Sequence, residues 1–563
     1  MHGADPSSRA LAGRARFRIL LLLMIPGTVC FISCSPDSRP PESGCAELRV
    51  PLPRDIRSLD PVEGGEILTY NVVRQLYEGL VDYDPNTLAV VPRIAEEWSV
   101  AEAGLEWTFL LHRGVRFVDD PCFPGGKGRE VEAADAKYSM ERGLKAPGAT
   151  AAERELSTVV GVGEYLAGES DHVRGIEALS PSTLVIRLLR PNPTLLHEIA
   201  HIRFRIVPRE AVESYGEELR IRAAGSGPFR LASWDPLSGI LLVRNRGYWR
   251  RDEDGERLPY VDALRFVPVW RGDGVRLYAE GRIDMMSSYV RSAARPIPGE
   301  EGMGGPEFPP PRQVEQVFFV PRLNTIFIAF DFRSGHPAVR RRTLREALGC
   351  AIPRPLGRMP LPARGLFPPG LPGYDPELEG QGQDLERARE LLREAGCPEG
   401  KGLPPLRIAW PSWDAGVGNA VAAAVREIGV PVEFATYTPA AYYALIGEGG
   451  PDLFRAGWIA DYPEPLTFLK LFYSRSSENF GRYRDEAYDS LFHLFCDTRE
   501  QEERTLIARR LEKMLVRDEA AIFLHHERES QIVSPRVGDW EPNCTNPLNI
   551  CFYERVRVRN ADR

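Results

Sequence analysis

Leu453-Phe454-Arg455-Ala456-Gly457-Trp458-Ile459-Ala460-Asp461-Tyr462-Pro463-Glu464-Pro465 is the densest concentration of chemistry in the chain. The apolar run around Arg455 reads as a strand. The loop that follows sets a Trp, an Asp and a Tyr close together, with Gly457 and Pro463 as brackets. A strand ending in such a loop presents aromatic faces and one carboxylate to a cleft. Asp461 is therefore the leading ligand-binding candidate, with Trp458 and Tyr462 beside it. The plainer alternatives are that Asp461 caps the Pro-rich turn and that Trp458 is core.

Outward from this loop, short strand-like segments alternate with amphipathic helices. Trp107-Thr108-Phe109-Leu110-Leu111-His112 and Thr183-Leu184-Val185-Ile186-Arg187-Leu188-Leu189 are rich in aromatic and β-branched residues. Residues 384–395 place Leu385, Ala388, Leu391, Leu392 and Ala395 on one helical face, with Asp384 as N-cap and Gly396 past the end. Leu506, Ile507, Leu511, Met514 and Leu515 mark a second helix. This is an α/β pattern. The Pro-rich zones 307–312 and 353–376 read as long surface connections, the first marking passage between two lobes. No internal repeat is found.

The chain has 563 residues, 43% hydrophobic and 27% charged, which is ordinary for globular proteins and long enough for about three to four domains. Its net charge of -8 argues against a nucleic-acid surface, because phosphate binding needs clustered Lys and Arg. Arg9, Arg14, Arg16 and Arg18 precede an interrupted apolar run, giving an export signal too short for a spanning helix. The run ends in Phe31-Ile32-Ser33-Cys34, which resembles a bacterial lipobox with Phe where Leu is usual, and makes Cys34 the candidate lipidation site. Soluble secretion is the alternative. Residues 35–47 read as a tether. Of nine Cys, Cys544 and Cys551 are close enough in sequence to bridge in an oxidising compartment, and there is no C-x-x-C for a zinc ribbon.

His197-Glu198-Ile199-Ala200-His201 is an H-E-x-x-H sequence, which on a helix puts two imidazoles on one face for zinc with Glu as general base. No H-x-x-G-x-x-H extension follows, although Glu210, Glu213, Glu217 or Glu218 could act as third ligand. G-x-S-x-G and Walker A sequences are absent.

The order of several segments gives a resemblance. Ser58-Leu59-Asp60-Pro61, Leu76-Tyr77-Glu78-Gly79-Leu80, Gly225-Ser226-Gly227-Pro228-Phe229, Tyr248-Trp249, Gly281-Arg282-Ile283-Asp284 and the Gly457 to Pro465 loop together resemble the family 5 solute-binding proteins of bacterial ABC importers, the oligopeptide- and dipeptide-binding group. Residues 121–130, with Cys122, depart from that pattern. The resemblance implies an α/β, two-lobe periplasmic binding protein fold (class II type) with an additional subdomain inserted in the first lobe. The expected boundaries are residues 1–34 for the signal and 35–47 for the tether. Lobe I takes 48–80, 205–306 and 528–563, the insert 81–204, and lobe II 307–527.

The function implied is capture of short peptides between closing lobes and delivery to an ABC permease driven by a separate ATPase. The protein would be a monomer, anchored through Cys34 on the outer side of the membrane, without catalysis, metal, cofactor or nucleic acid. By resemblance Asp461 accepts the peptide's α-ammonium, and Arg455, six residues earlier, faces its carboxylate, an ordinary ion pair being the alternative. Gly65, Glu66, Ser226 and Tyr442 are further cleft candidates. Nickel complexes, haem or oligosaccharides are alternatives within the fold. A secreted zinc peptidase using His197, Glu198 and His201 is the alternative outside it.

Overall fold

The computed structural model describes residues 46–52, 56–63, 67–145, 156–235, 237–270, 273–287, 316–356, 360–380, 382–540 and 552–559. The signal, Cys34, Cys45, Gly65, Glu66, the zone 307–312 and the Cys544 and Cys551 pair lie outside the described residues.

Three larger sheets organise the chain. The first runs Glu47–Leu52, Ala263–Pro268, Gly239–Arg244, Phe229–Asp235, parallel in its first pair and antiparallel after it. The second is antiparallel, in the order Ala95–Ala101, Glu106–Leu111, Thr183–Arg187, Ile176–Ser180. The third is mixed: Ala521–Val533, Asn324–Phe330, Leu453–Ile459, Leu406–Pro411 and Val432–Tyr437 form its body, where Leu406–Pro411 runs parallel to both of its neighbours and the other pairs are antiparallel.

The third sheet is buried on both faces, and the period-two geometry of a strand shows how. In Asn324–Phe330, Ile326, Ile328 and Phe330 join one core with Val425, Leu391 and Trp410, while Phe327 and Ala329 join the other with Phe468, Tyr488 and Leu511. Both expected helices supply those cores, as Leu385–Glu394 and Gln501–Arg517. Asp384 accepts the Arg387 N–H at 2.9 Å, and Gly396 takes a positive φ of 75°. Leu506 is a correction to the helical face: it is 60% exposed.

The zone 353–376 is also corrected. Pro360–Pro362 pairs with Ala521–Val533 as an edge strand, where missing N–H donors are tolerated, and Leu366, Phe367 and Leu371 are buried. Phe367 closes the segment by donating its N–H to Glu512 at 2.7 Å.

Residues 48–77 with 202–266 and 533–556 share one core, and residues 80–224 form another. Most of the second core belongs to a stretch of chain that begins and ends at one place, where the Ile206 N–H donates to the Glu78 carbonyl at 2.8 Å, and Ala211, Leu219 and Ala224 complete it from beyond that point. Gly225-Ser226-Gly227 packs on the same point. A Cβ on Gly225 would lie 2.0 Å from the Leu76 carbonyl oxygen, and one on Gly227 2.6 Å from that of Gln75, which explains the two glycines. Among the described residues no helix is long and apolar enough to cross a membrane.

Burial pushes Glu512 up to about 8, against the pull of the Phe367 and Leu366 N–H groups. A carboxyl held neutral in the fold but acidic when unfolded contributes stability that is complete below its unfolded pKa and is lost as pH rises through its folded one. Raising pH from 5 to 8 therefore costs the wild type about 2–3 kcal/mol more than it costs Glu512→Gln, which stays neutral throughout. Urea denaturation of both at each pH checks this, and parallel profiles would refute it. Comparing the two proteins at one pH cancels His525 and His526, which burial lowers to about 4 and which weaken the fold in the opposite direction, as pH falls.

Candidate functional site

Leu453–Ile459 is the strand anticipated, paired along its length with Asn324–Phe330. Gly457 is required there, because a Cβ would meet Ile326 Cδ1 at 2.7 Å. Past the strand the Ala460 N–H still reaches the Leu323 carbonyl at 2.9 Å, and the chain then turns out at Asp461. The cap of this turn is Glu464, whose carboxylate accepts the Leu466 N–H at 2.6 Å and pairs with buried Arg504. Asp461 is thereby spared a structural role in the backbone.

The Asp461 carboxylate meets Lys470 Nζ at 2.9 Å. The same ammonium lies 2.9 Å from Glu478 and 5.0 Å above the centre of the Trp458 ring. Burial works against the Lys470 charge, but Asp461 and Glu478 outweigh it and hold the amine above its usual range. The indole N–H of Trp458 is buried and has no hydrogen-bond partner among the described residues.

Asp461, Lys470 and Glu478 edge a cavity of about 660 Å³ whose opposite wall is the H-E-x-x-H segment and the residues before it. That segment does not form the face a metal needs. Its helix, Leu195–Ile199, stops before His201, which is extended at φ -61°, ψ 146°. His201 Nδ1 accepts the Arg203 N–H at 3.4 Å, so its Nε2 carries the proton and donates to the Tyr70 hydroxyl at 2.5 Å. Burial, then Arg203 and Arg205, lower this imidazole to about 3. Glu198 is fixed through Oε1 by Asn192 Nδ2 at 2.9 Å and Thr194 Oγ1 at 2.8 Å, and burial raises it to about 7. Among the described residues no three metal-ligating side chains converge.

His197 instead joins the two walls. Its ring stacks between Tyr83, at 5.8 Å, and Tyr462, at 5.4 Å, and its Nδ1 is 3.2 Å from the Tyr83 hydroxyl. Two motifs that looked unrelated in sequence are thus in contact beside Asp461.

The other candidates lie elsewhere. Arg455 donates to Asp414 at 2.9 Å, the plainer of its two readings. Tyr442 is core, 2% exposed, with its hydroxyl donating to the Arg455 carbonyl. Ser226 is buried at the glycine turn. Lys470, Glu478, Arg190 and Arg475 were missed, since each lies outside the motif and reaches the cavity only through the fold.

The family model for bacterial extracellular solute-binding proteins, family 5 (middle), matches residues 89–480. Over 531 residues the chain is 27% identical to the periplasmic oligopeptide-binding protein OppA of Escherichia coli (strain K12), covering 90% of this chain and 91% of that one. It is 25% identical over 526 residues to the periplasmic murein peptide-binding protein MppA of the same organism, covering 89% and 91%. The unliganded open form of MppA superposes with a TM-score of 0.74 at 25% identity, covering 92% of this chain and 98% of that structure. DppA from Helicobacter pylori, in complex with the peptide STSA, shares the fold at a TM-score of 0.66 and 20% identity, covering 91% and 98%.

Proposed function

The chain belongs to the bacterial extracellular solute-binding proteins of family 5, and we propose that its solute is a short peptide, captured between two α/β lobes and handed to an ABC permease. The observation that carries the peptide reading is the charge arrangement at the cavity edge. Asp461 and Glu478 both meet the ammonium of Lys470, and Asp461, its side chain 43% exposed at the cavity edge, is a carboxylate that a ligand can reach. A peptide's α-ammonium would neutralise that carboxylate. Asp461 is the binding carboxylate in this reading, with Trp458 and Tyr462 flanking the ligand. Arg455 and Tyr442 support the strand from behind.

The domain division proposed is lobe I from 48–80, 205–306 and 528–563, an insert of 81–204, and lobe II from 307–527. The separate cores of residues 48–77 and 80–224 support it. The permease and its ATPase are other chains, and the receptor is a monomer held to the outer face of the membrane by lipid on Cys34. It needs no cofactor and catalyses no reaction.

Native mass spectrometry of the purified protein, with thermal unfolding against tripeptides, tests this reading. A co-purifying peptide mass is expected. At a hundred times Kd, added peptide should stabilise the fold by about 2.7 kcal/mol. Absence of both, or a co-purifying metal complex or sugar, would refute it.

A further inference from the structure

We propose that Arg190, on the wall opposite Asp461, and Arg475, on the wall that carries Asp461, form an anion subsite which selects short peptides bearing an acidic side chain in addition to their terminal carboxylate. This rests on the peptide reading and names the class of peptide. Arg190 follows the strand Thr183–Arg187, and Arg475 follows the helix Leu466–Leu469, so the two reach one cavity from its opposite walls. Both are exposed, and neither has a hydrogen bond or ion pair among the described residues.

The other cations of the cavity are already answered. Arg504 is paired with Glu464, and Lys470 is shared by Asp461 and Glu478. Glu198 is the remaining carboxyl in the wall. Its Oε1 is taken by Asn192 and Thr194, and among the described residues it forms no ion pair with either arginine.

Two free guanidinium groups cost little while water solvates them. Closure around a ligand removes that water, and each cation then needs an anion of good geometry. A guanidinium meets a carboxylate through two parallel N–H donors, which makes carboxylate its natural partner. A neutral peptide brings one carboxylate and leaves one arginine unanswered. A peptide with a Glu or Asp side chain brings two.

Calorimetric titration of Ala-Glu-Ala and Ala-Gln-Ala tests this against wild type, Arg190→Gln, Arg475→Gln and the double variant. The remote exposed Arg389→Gln serves as control for net charge. Wild type is expected to prefer Ala-Glu-Ala by about ten- to a hundredfold, a preference reduced in each single variant, lost in the double and kept in the control. Equal binding of the two peptides to wild type, or a preference that survives in the double variant, would overturn the inference and leave the peptide reading standing. Binding of neither peptide would overturn both. The substituted positions are exposed, so unchanged unfolding midpoints are expected alongside.

Discussion

A free-amine tripeptide is expected to bind Asp461→Asn roughly thirty- to several-thousand-fold more weakly than it binds the wild type. In the structure Asp461 shares Lys470 with Glu478, and its side chain is 43% exposed, so water still screens the pair. Closure around a ligand changes the balance. An α-ammonium stripped of water needs a fixed carboxylate, and removing that partner strands the charge. Asn keeps the shape and deletes the charge, while Lys470 retains Glu478, so the loop itself is little disturbed. N-acetylation of the peptide deletes the same pair from the other side. It should weaken wild-type binding by a similar factor and add little further loss in the variant. Calorimetric titration of Ala-Ala-Ala and its N-acetyl form against both proteins measures the cycle. Equal affinity of the two proteins for the free amine would disprove the assignment and turn attention to a non-peptide ligand.

Asp82→Ala destabilises the fold by about 3–5 kcal/mol, the cost of leaving buried guanidinium groups without their counter-charge. Asp82 lies in the strand Val81–Tyr83, its side chain 4% exposed. Arg74 grips it through Nη1 at 2.7 Å and 3.0 Å and again through Nη2, Arg205 donates at 2.9 Å, and Arg93 stands 3.8 Å away. Burial alone would raise this carboxyl, but the three arginines hold it below its usual range. Phe552 lies under Arg74 at 4.4 Å and Arg93 at 5.3 Å, which brings the C-terminal segment onto the same knot. Asp82→Asn, which keeps one acceptor oxygen and leaves no cavity, should lose less than Asp82→Ala. Chemical denaturation of both variants and wild type gives the comparison, and a loss under about 1 kcal/mol in Asp82→Ala would contradict it.

What could be read from the residues alone was local. The helix at Leu385–Glu394 was legible because cap, apolar face and terminal glycine all agree, and Leu453–Ile459 because its run ends in unmistakable turn residues. The burial of 353–376 was not, since proline marks loops and edge strands alike, and only pairing with Ala521–Val533 decides between them. The H-E-x-x-H spacing suggested a metal face because spacing assumes that the helix continues. Here Ile202 and Phe204 are buried, and the chain leaves the helix to bury them. Asp461 stood out in its motif. Lys470, which meets that carboxylate, did not, because the eight intervening residues must first fold back over Trp458.

The hydrogen bond from Ile206 to Glu78 brings together the two ends of the chain that builds the second sheet. In evolutionary terms such a stretch is a cassette. A gene can gain, lose or exchange it by one insertion event, with a few residues to rejoin the ends, and the strands on either side keep their order. The stack of His197 on Tyr462 limits that freedom. A replacement module that fits the seam but offers no ring to Tyr462 would fold into place and deprive the Asp461 loop of one of its supports, so the module and the loop are bound to change together.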